Sequence, residues 1–118
     1  MQRISKEELR RVIETKNHGT LRPYVLYFSA DWCSQCKVIK PIMEAEYPEV
    51  DVYNYVVDEN FDQIQDEVHS ALNLITPGMT IMSLPRIIYV PSTYKMKDIT
   101  TSGFLIPGTI KNRISELK

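Results

Sequence analysis

The only two cysteines of the 118-residue sequence, Cys33 and Cys36, are separated by two residues. Side chains three positions apart are neighbours on a helix surface, so two thiols at this spacing can close a disulfide and open it again. The apolar run Tyr24–Phe28 precedes the pair, and a helical pattern follows it. The pair is therefore predicted to lie where a strand ends and a helix begins, a context that favours redox chemistry.

Two other interpretations of the cysteine pair remain, an inert pair in the core and half of a zinc site. Zinc sites in proteins use about four ligands. The two histidines, His18 and His69, are isolated from the cysteines in sequence. We therefore favour the redox interpretation and predict neither a metal site nor a bound cofactor.

Composition and charge are those of an ordinary globular protein, and the length predicts one domain over residues 1–118. The sequence is 43% hydrophobic and 25% charged, with a net charge of −1, so it lacks the basic excess of nucleic-acid and membrane-surface proteins. No run approaches the ~18 apolar residues of a membrane span, and the charged N-terminus has no apolar signal core. We expect a cytoplasmic monomer, in a compartment where structural disulfides are rare.

The first helix has a well-defined predicted start. Ser5 and Glu8 have the spacing of a capping box, and Ile4 and Leu9 that of a hydrophobic staple. The helix is predicted to end at His18-Gly19.

Strands and helices alternate along the rest of the chain. The predicted strands are Tyr24–Ser29, Val50–Val57, Arg86–Val90 and a weaker Lys95–Thr101, and the predicted helices are Cys33–Tyr47, Phe61–Leu74 and Pro107–Leu117. The second helix carries an apolar stripe of Val38, Ile39, Ile42 and Met43. Alternation favours parallel pairing, and two successive strands near the end favour an antiparallel edge. The predicted fold is α/β, with a central mixed sheet flanked by helices on both faces.

The segment from Ser29 to Lys37, S-A-D-W-C-S-Q-C-K, resembles the active-site segment of the thioredoxin superfamily. Three further features fit the resemblance. Pro41 falls at the position of the family's kinking proline, Ser83-Leu84-Pro85 at its cis-proline loop, and Gly103 at its late glycine. The resemblance covers nearly the whole chain and implies a thioredoxin-like fold.

The resemblance implies a thiol–disulfide oxidoreductase that reduces protein disulfides, with a role in electron transport and cell redox homeostasis. Cys33, as the predicted first residue of the helix, would meet unpaired N–H groups and the helix dipole, which lower a thiol pKa from about 8.5 to about 3.5–7.5. Cys33 would attack the substrate disulfide, and Cys36 would then displace the product and close the Cys33–Cys36 bond. The implied reductant is thioredoxin reductase or glutathione.

Four other residues acquire expected roles from the same resemblance. Trp32 is expected to present an exposed surface to partner proteins, the alternative being core packing. Leu84 is expected to offer backbone hydrogen bonds to a bound substrate, next to a cis Pro85. Lys37 adds positive potential near the thiolate or is an ordinary solvated charge.

The sequence departs from the family pattern in three places. Tyr27 stands where typical thioredoxins bury an aspartate, and Asn54 roughly where they carry its lysine partner. A tyrosine is a poor base near neutral pH, so proton transfer to and from Cys36 must use water, another carboxylate or Tyr27 as a relay, and we expect slower resolution. Ser34-Gln35 replaces the usual Gly-Pro, which predicts a less reducing pair. The stretch between Asp58 and Pro85 contains 26 residues and is longer than usual.

Two other functions are alternatives. A glutaredoxin-like, glutathione-dependent oxidoreductase would need a glutathione pocket, for which Lys37, Arg86 and Asp98 are the candidates. A non-catalytic binding module would use the surface of Trp32 and Leu84 to dock one partner, with the redox state as a switch.

Overall fold

The computed structural model describes residues 1–17, 22–57, 73, 84–90, 100–101 and 107–117. Within these ranges the chain forms five strands and three helices. In chain order they are β1 (Gln2–Arg3), α1 (Lys6–Asn17), β2 (Tyr24–Ser29), α2 (Ser34–Met43), β3 (Asp51–Val56), β4 (Arg86–Val90), β5 (Thr100–Thr101) and α3 (Pro107–Ser115). No helix in these ranges is long and apolar enough to cross a membrane.

The strands form one mixed sheet in the order β1-β3-β2-β4-β5, with β2 at its centre. Strand β2 runs parallel to β3, with Tyr27 opposite Asn54, and antiparallel to β4, with Tyr27 opposite Ile87. The short edge strands β1 and β5 pair parallel with β3 and antiparallel with β4, respectively. The predicted α/β class with a mixed sheet is confirmed, including the bounds of β2 and β4.

Side chains of β2 alternate between two apolar cores on opposite faces of the sheet, as a fully buried strand requires. On one face α1 covers the core formed by Ile4, Leu9, Ile13, Tyr24, Leu26, Phe28, Ile88 and Val90. On the other face α2 and α3 supply Cys36, Ile39, Met43, Ile110 and Ile114 to a core that also contains Val25, Tyr27 and Ile87. Helices therefore lie on both faces, and both cysteines belong to the second core.

The start of α1 is fixed by local side-chain contacts. The Ser5 hydroxyl accepts a hydrogen bond from the Glu8 N–H at 3.2 Å, and the Glu8 carboxylate accepts one from the Ser5 N–H at 3.1 Å. Ile4 and Leu9 are buried in the same core. The predicted capping box and hydrophobic staple are both confirmed, and they anchor the N-terminus of α1 beside β1.

Replacing the capping serine tests this local stabilisation. We expect Ser5→Ala to lower the free energy of unfolding by about 1 kcal/mol, because the substitution leaves an N-terminal N–H of α1 without its partner. Ser115→Ala, at the exposed end of α3, is the control and should change stability by less than about 0.5 kcal/mol. Urea unfolding measures both, and equal values for the two variants would contradict the capping role.

Helix α2 is shorter than predicted at both ends. Cys33 is not its first residue but its N-cap, in an extended conformation with φ −86° and ψ 109°. The helix ends at Met43 and not at Tyr47. The Tyr47 hydroxyl donates to the Ile42 carbonyl, so the predicted continuation instead folds back onto the last turn.

Two further expectations were wrong or incomplete. The apolar stripe predicted for α2 includes Val38, but Val38 is 64% exposed, because the neighbouring Ile39 takes the inward position. Strand β1 was not predicted, since Gln2 and Arg3 carry exposed polar side chains and no apolar alternation.

Several predictions fall outside the described residues. They are the helix Phe61–Leu74 apart from Asn73, most of the long stretch between Asp58 and Pro85, most of the strand Lys95–Thr101, and the residues His18, His69, Asp98 and Gly103.

Candidate active site

Cys33 and Cys36 are joined in a disulfide at the N-terminus of α2, with their Cα atoms 5.3 Å apart. Cys33 occupies the N-cap, where its sulfur accepts a hydrogen bond from the Cys36 N–H at 3.2 Å. This is the position in which a serine or threonine oxygen usually satisfies a helix N-terminus. A thiolate at Cys33 would receive the same N–H and the positive end of the helix dipole, so the geometry favours ionisation of this sulfur.

A tight turn carries the chain from β2 into α2 and exposes Trp32. The Cys33 N–H donates to the Ala30 carbonyl at 3.1 Å, which closes the turn. The Trp32 side chain is 53% exposed, directly before the buried Cys33. The structure therefore agrees with the exposed position expected for Trp32 and not with the core-packing alternative.

The loop before β4 meets the core that contains the cysteines. The Leu84–Pro85 peptide bond is cis. Leu84 is partly buried and packs against both cores, one of which includes Cys33 and Cys36. Pro85 is buried at the start of β4. The fold thus brings the disulfide and the predicted docking residues to one end of the sheet.

Tyr27 lies beneath α2 and holds its first turn. Its side chain is 1% exposed, and its hydroxyl donates to the Cys36 carbonyl at 2.9 Å. Burial raises the pKa of Tyr27 to about 12. The hydroxyl is therefore protonated near neutral pH and acts as a hydrogen-bond donor, which argues against Tyr27 as the base for Cys36.

Two polar residues that sequence analysis did not connect lie beside Tyr27. The Ser29 hydroxyl donates to Asn54 Oδ1 at 2.7 Å, and both side chains are buried. Ser29 is two residues beyond Tyr27 on β2, so both point towards α2. The alternation of side chains along β2 could have identified Ser29 from the sequence, because Ser29 is the polar residue at the end of an otherwise apolar strand.

Tyr27, Ser29, Asn54 and Cys36 line one cavity of about 270 Å³ between the sheet and α2. Exposed charged residues surround its opening, and they are Arg3, Asp31, Lys37, Lys40 and Glu44. Lys37 thus lies beside the site as an exposed charge. Tyr27 and Asn54, two positions at which the sequence departs from the resemblance, thus line the same cavity as a phenol and an amide.

The candidate glutathione-binding residues do not converge in the described part of the chain. Lys37 lies on α2, on one face of the sheet. Arg86 is opposite Phe28 in the register of β4 and β2, and Phe28 belongs to the core on the other face. The described residues also contain no group of three or more histidine, cysteine, aspartate or glutamate side chains able to hold a metal ion.

A disulfide that caps the helix following the central strand of a mixed sheet defines a thiol–disulfide oxidoreductase of the α/β class. Comparison with known proteins identifies the family. The thioredoxin family model matches residues 2–101. The chain belongs to the thioredoxin family.

Individual relatives agree with this assignment. A thioredoxin of Borreliella burgdorferi is 31% identical over 97 residues, which cover 80% of this chain and 73% of that protein. The crystal structure of Fasciola hepatica thioredoxin covers 100% of both chains with a TM-score of 0.67 and 25% identity. Oxidised thioredoxin O1 of Arabidopsis thaliana covers 98% of this chain and 96% of its own, with a TM-score of 0.68 and 22% identity, and shows the shared fold.

Proposed function

We propose that this protein reduces disulfide bonds of protein substrates by cycling Cys33 and Cys36 between dithiol and disulfide. The observation that carries the proposal is the Cys33–Cys36 disulfide at the N-cap of α2, where one sulfur already accepts a backbone N–H. Membership of the thioredoxin family supports protein disulfides as the general substrate class. A reducing compartment such as the cytoplasm suits this cycle, because it keeps the dithiol form available.

The two cysteines take different roles in the proposed cycle. The Cys33 thiolate attacks one sulfur of the substrate disulfide, forms a mixed disulfide and releases the first substrate thiol. Cys36 then attacks the Cys33 sulfur, which breaks the mixed disulfide and releases the second substrate thiol. Two electrons pass to the substrate, and the protein is left with the Cys33–Cys36 disulfide seen in the structure.

Three residues near the disulfide are proposed to dock the substrate. Trp32 offers an exposed aromatic surface beside Cys33. Leu84, before the cis Pro85, is the proposed backbone partner for an extended substrate segment. A partner that enters at this end of the sheet is proposed to meet Cys33 before Cys36, which is the more buried of the two residues.

A redox titration tests the proposed function. We expect the Cys33–Cys36 pair to titrate against glutathione as a single two-electron couple, with a tenfold change in the equilibrium constant for about 30 mV. A thioredoxin reductase assay on the same protein identifies the reductant. A pair that stays oxidised or reduced over the whole accessible range would overturn the proposal, and Cys33→Ser supplies the baseline without a disulfide.

The glutathione-dependent alternative predicts different results from the proposed function when the protein is mixed with glutathione. A glutaredoxin-like protein would accumulate a stable adduct of glutathione on Cys33, visible as a mass increase, and would turn over hydroxyethyl disulfide. We expect neither, because Lys37 and Arg86 lie on opposite faces of the sheet.

A further inference from the structure

Cys36, the resolving cysteine, must lose a proton before it can attack. No carboxylate lies in the described part of the interior beside it. The buried polar groups around the cavity under Cys36 are the phenol of Tyr27, the hydroxyl of Ser29 and the amide of Asn54. The carboxylates of Asp31 and Glu44 reach this cavity only from exposed positions at its opening. A direct transfer from Cys36 to a buried base is therefore not available among these residues.

The cavity is suited to hold water. Its volume of about 270 Å³ is many times the space that one water requires. A buried water also needs two to four polar partners, and the hydroxyl and amide of the Ser29–Asn54 pair supply them on the sheet side. The exposed residues at the opening connect the cavity to solvent.

We propose that this cavity is a water-filled proton path for Cys36, and that Ser29, held by Asn54, is a positioning residue that orients its waters. The inference rests on the proposed function and concerns only its second step. As Cys36 attacks the Cys33 sulfur, its thiol proton passes to cavity water and from there to solvent. The Cys33–Cys36 bond forms, the bond from Cys33 to the substrate breaks, and the departing thiolate takes up a proton outside.

Tyr27 has a different part in this arrangement. Its hydroxyl donates to the Cys36 carbonyl at 2.9 Å, so Tyr27 fixes the distance between the first turn of α2 and the sheet beneath it. The path itself depends on Ser29, two residues beyond Tyr27 on β2, because its hydroxyl is a polar group that cavity water can meet on the sheet side.

The matched pair Ser29→Val and Ser29→Thr tests the path. Valine and threonine have the same shape, but only threonine keeps the hydroxyl. The probe is an aromatic disulfide whose two halves become coloured thiolates, so that attack by Cys33 and resolution by Cys36 appear as two separate absorbance steps. Stopped-flow mixing with the reduced protein gives both rates.

We expect Ser29→Val to slow the second release roughly tenfold while the first release is unchanged. This effect is smaller than the 10²–10⁴-fold of a direct general base, because the hydroxyl acts through water. Ser29→Thr should resolve at the parent rate. Tyr24→Phe, a buried tyrosine in the opposite core, is the control and should change neither step.

Two results would overturn the path. One is an unchanged second release in Ser29→Val, and the other is an equal slowing in Ser29→Val and Ser29→Thr, which would show a steric effect. If Ser29→Val does not fold by circular dichroism, Asn54→Leu removes the acceptor that holds Ser29, and the same slow second release is expected. A parent protein that gives no first release would instead overturn the proposed function itself.

Discussion

Cys36→Ser is expected to arrest the protein as a mixed disulfide with its substrate. Cys33 would still attack, because its N-cap position and the Cys36 backbone N–H are retained in the variant. The serine hydroxyl cannot displace the substrate, so one substrate thiol is released per protein and turnover stops. We expect the steady-state rate of insulin reduction to fall by at least about 10³-fold, as when a covalent nucleophile is removed from an enzyme.

Cys33→Ser is the matched control for this experiment. It changes the other sulfur of the same disulfide and is expected to abolish the mixed disulfide as well as turnover. Because the chain contains only these two cysteines, intact-protein mass spectrometry assigns any adduct without digestion. A stable adduct on Cys33→Ser, and none on Cys36→Ser, would reverse the assigned roles of the two cysteines.

Retained partner binding in Cys33→Ser would bear on the choice between the catalytic function and the non-catalytic binding module. If that variant still docked a partner at full affinity while the parent reduced insulin no faster than background, the non-catalytic binding module would be the better description. The exposed Trp32 surface serves docking in both cases. Disulfide reduction by the parent therefore decides between the two functions.

The parts of the fold that sequence predicted well are those set by local physical signals. The strand Tyr24–Ser29 is apolar on both faces and bounded by polar turns, and its bounds agree with β2. The capping box of Ser5 and Glu8 fixed the start of α1 to the residue. The capping box joins neighbours in the chain, whereas β2 pairs with distant strands but carries an uninterrupted apolar run that marks its burial on both faces.

The errors occurred where contacts distant in sequence, or single side chains, decide the outcome. Strand β1 depends on pairing with β3, some fifty residues away, and Gln2 has no strand signal of its own. Helix α2 stops at Met43, and the Tyr47 hydroxyl beyond it donates to the Ile42 carbonyl, a contact that hydrophobic periodicity cannot reveal.

In the active site, too, features set by neighbouring residues were predictable from the sequence, and contacts between distant residues were not. The spacing of Cys33 and Cys36 was sufficient to predict a disulfide at a helix start, although Cys33 proved to be the cap rather than the first helical residue. The Ser29–Asn54 pair was not predicted, since it forms across two strands that are separated by a helix. A cavity is lined by residues that are distant in sequence, so no short stretch of the sequence can predict it.

The central strand links this site to the stability of the whole fold. Its alternate residues serve two purposes, because Tyr27 and Ser29 face the cavity under α2 while Leu26 and Phe28 fill the core under α1. A change on the α1 face should therefore weaken folding without altering the chemistry at the other face, provided that the measurement is made where the protein is folded.

Phe28→Ala is expected to cause a large loss of stability, because it truncates a fully buried side chain of the core under α1. Phe28 is fully buried and meets Tyr55 edge to face, with ring centroids 5.8 Å apart. Truncation removes its transfer free energy and leaves a cavity, which together cost about 3–5 kcal/mol for a buried phenylalanine. Against a typical total of about 5–15 kcal/mol, this loss brings the variant close to unfolding at physiological temperature. Val38→Ala removes an exposed apolar side chain from α2 and should change stability by less than about 0.5 kcal/mol. Denaturant unfolding of both variants measures the difference, and losses of similar size would show that the core around β2 is not packed as the structure describes.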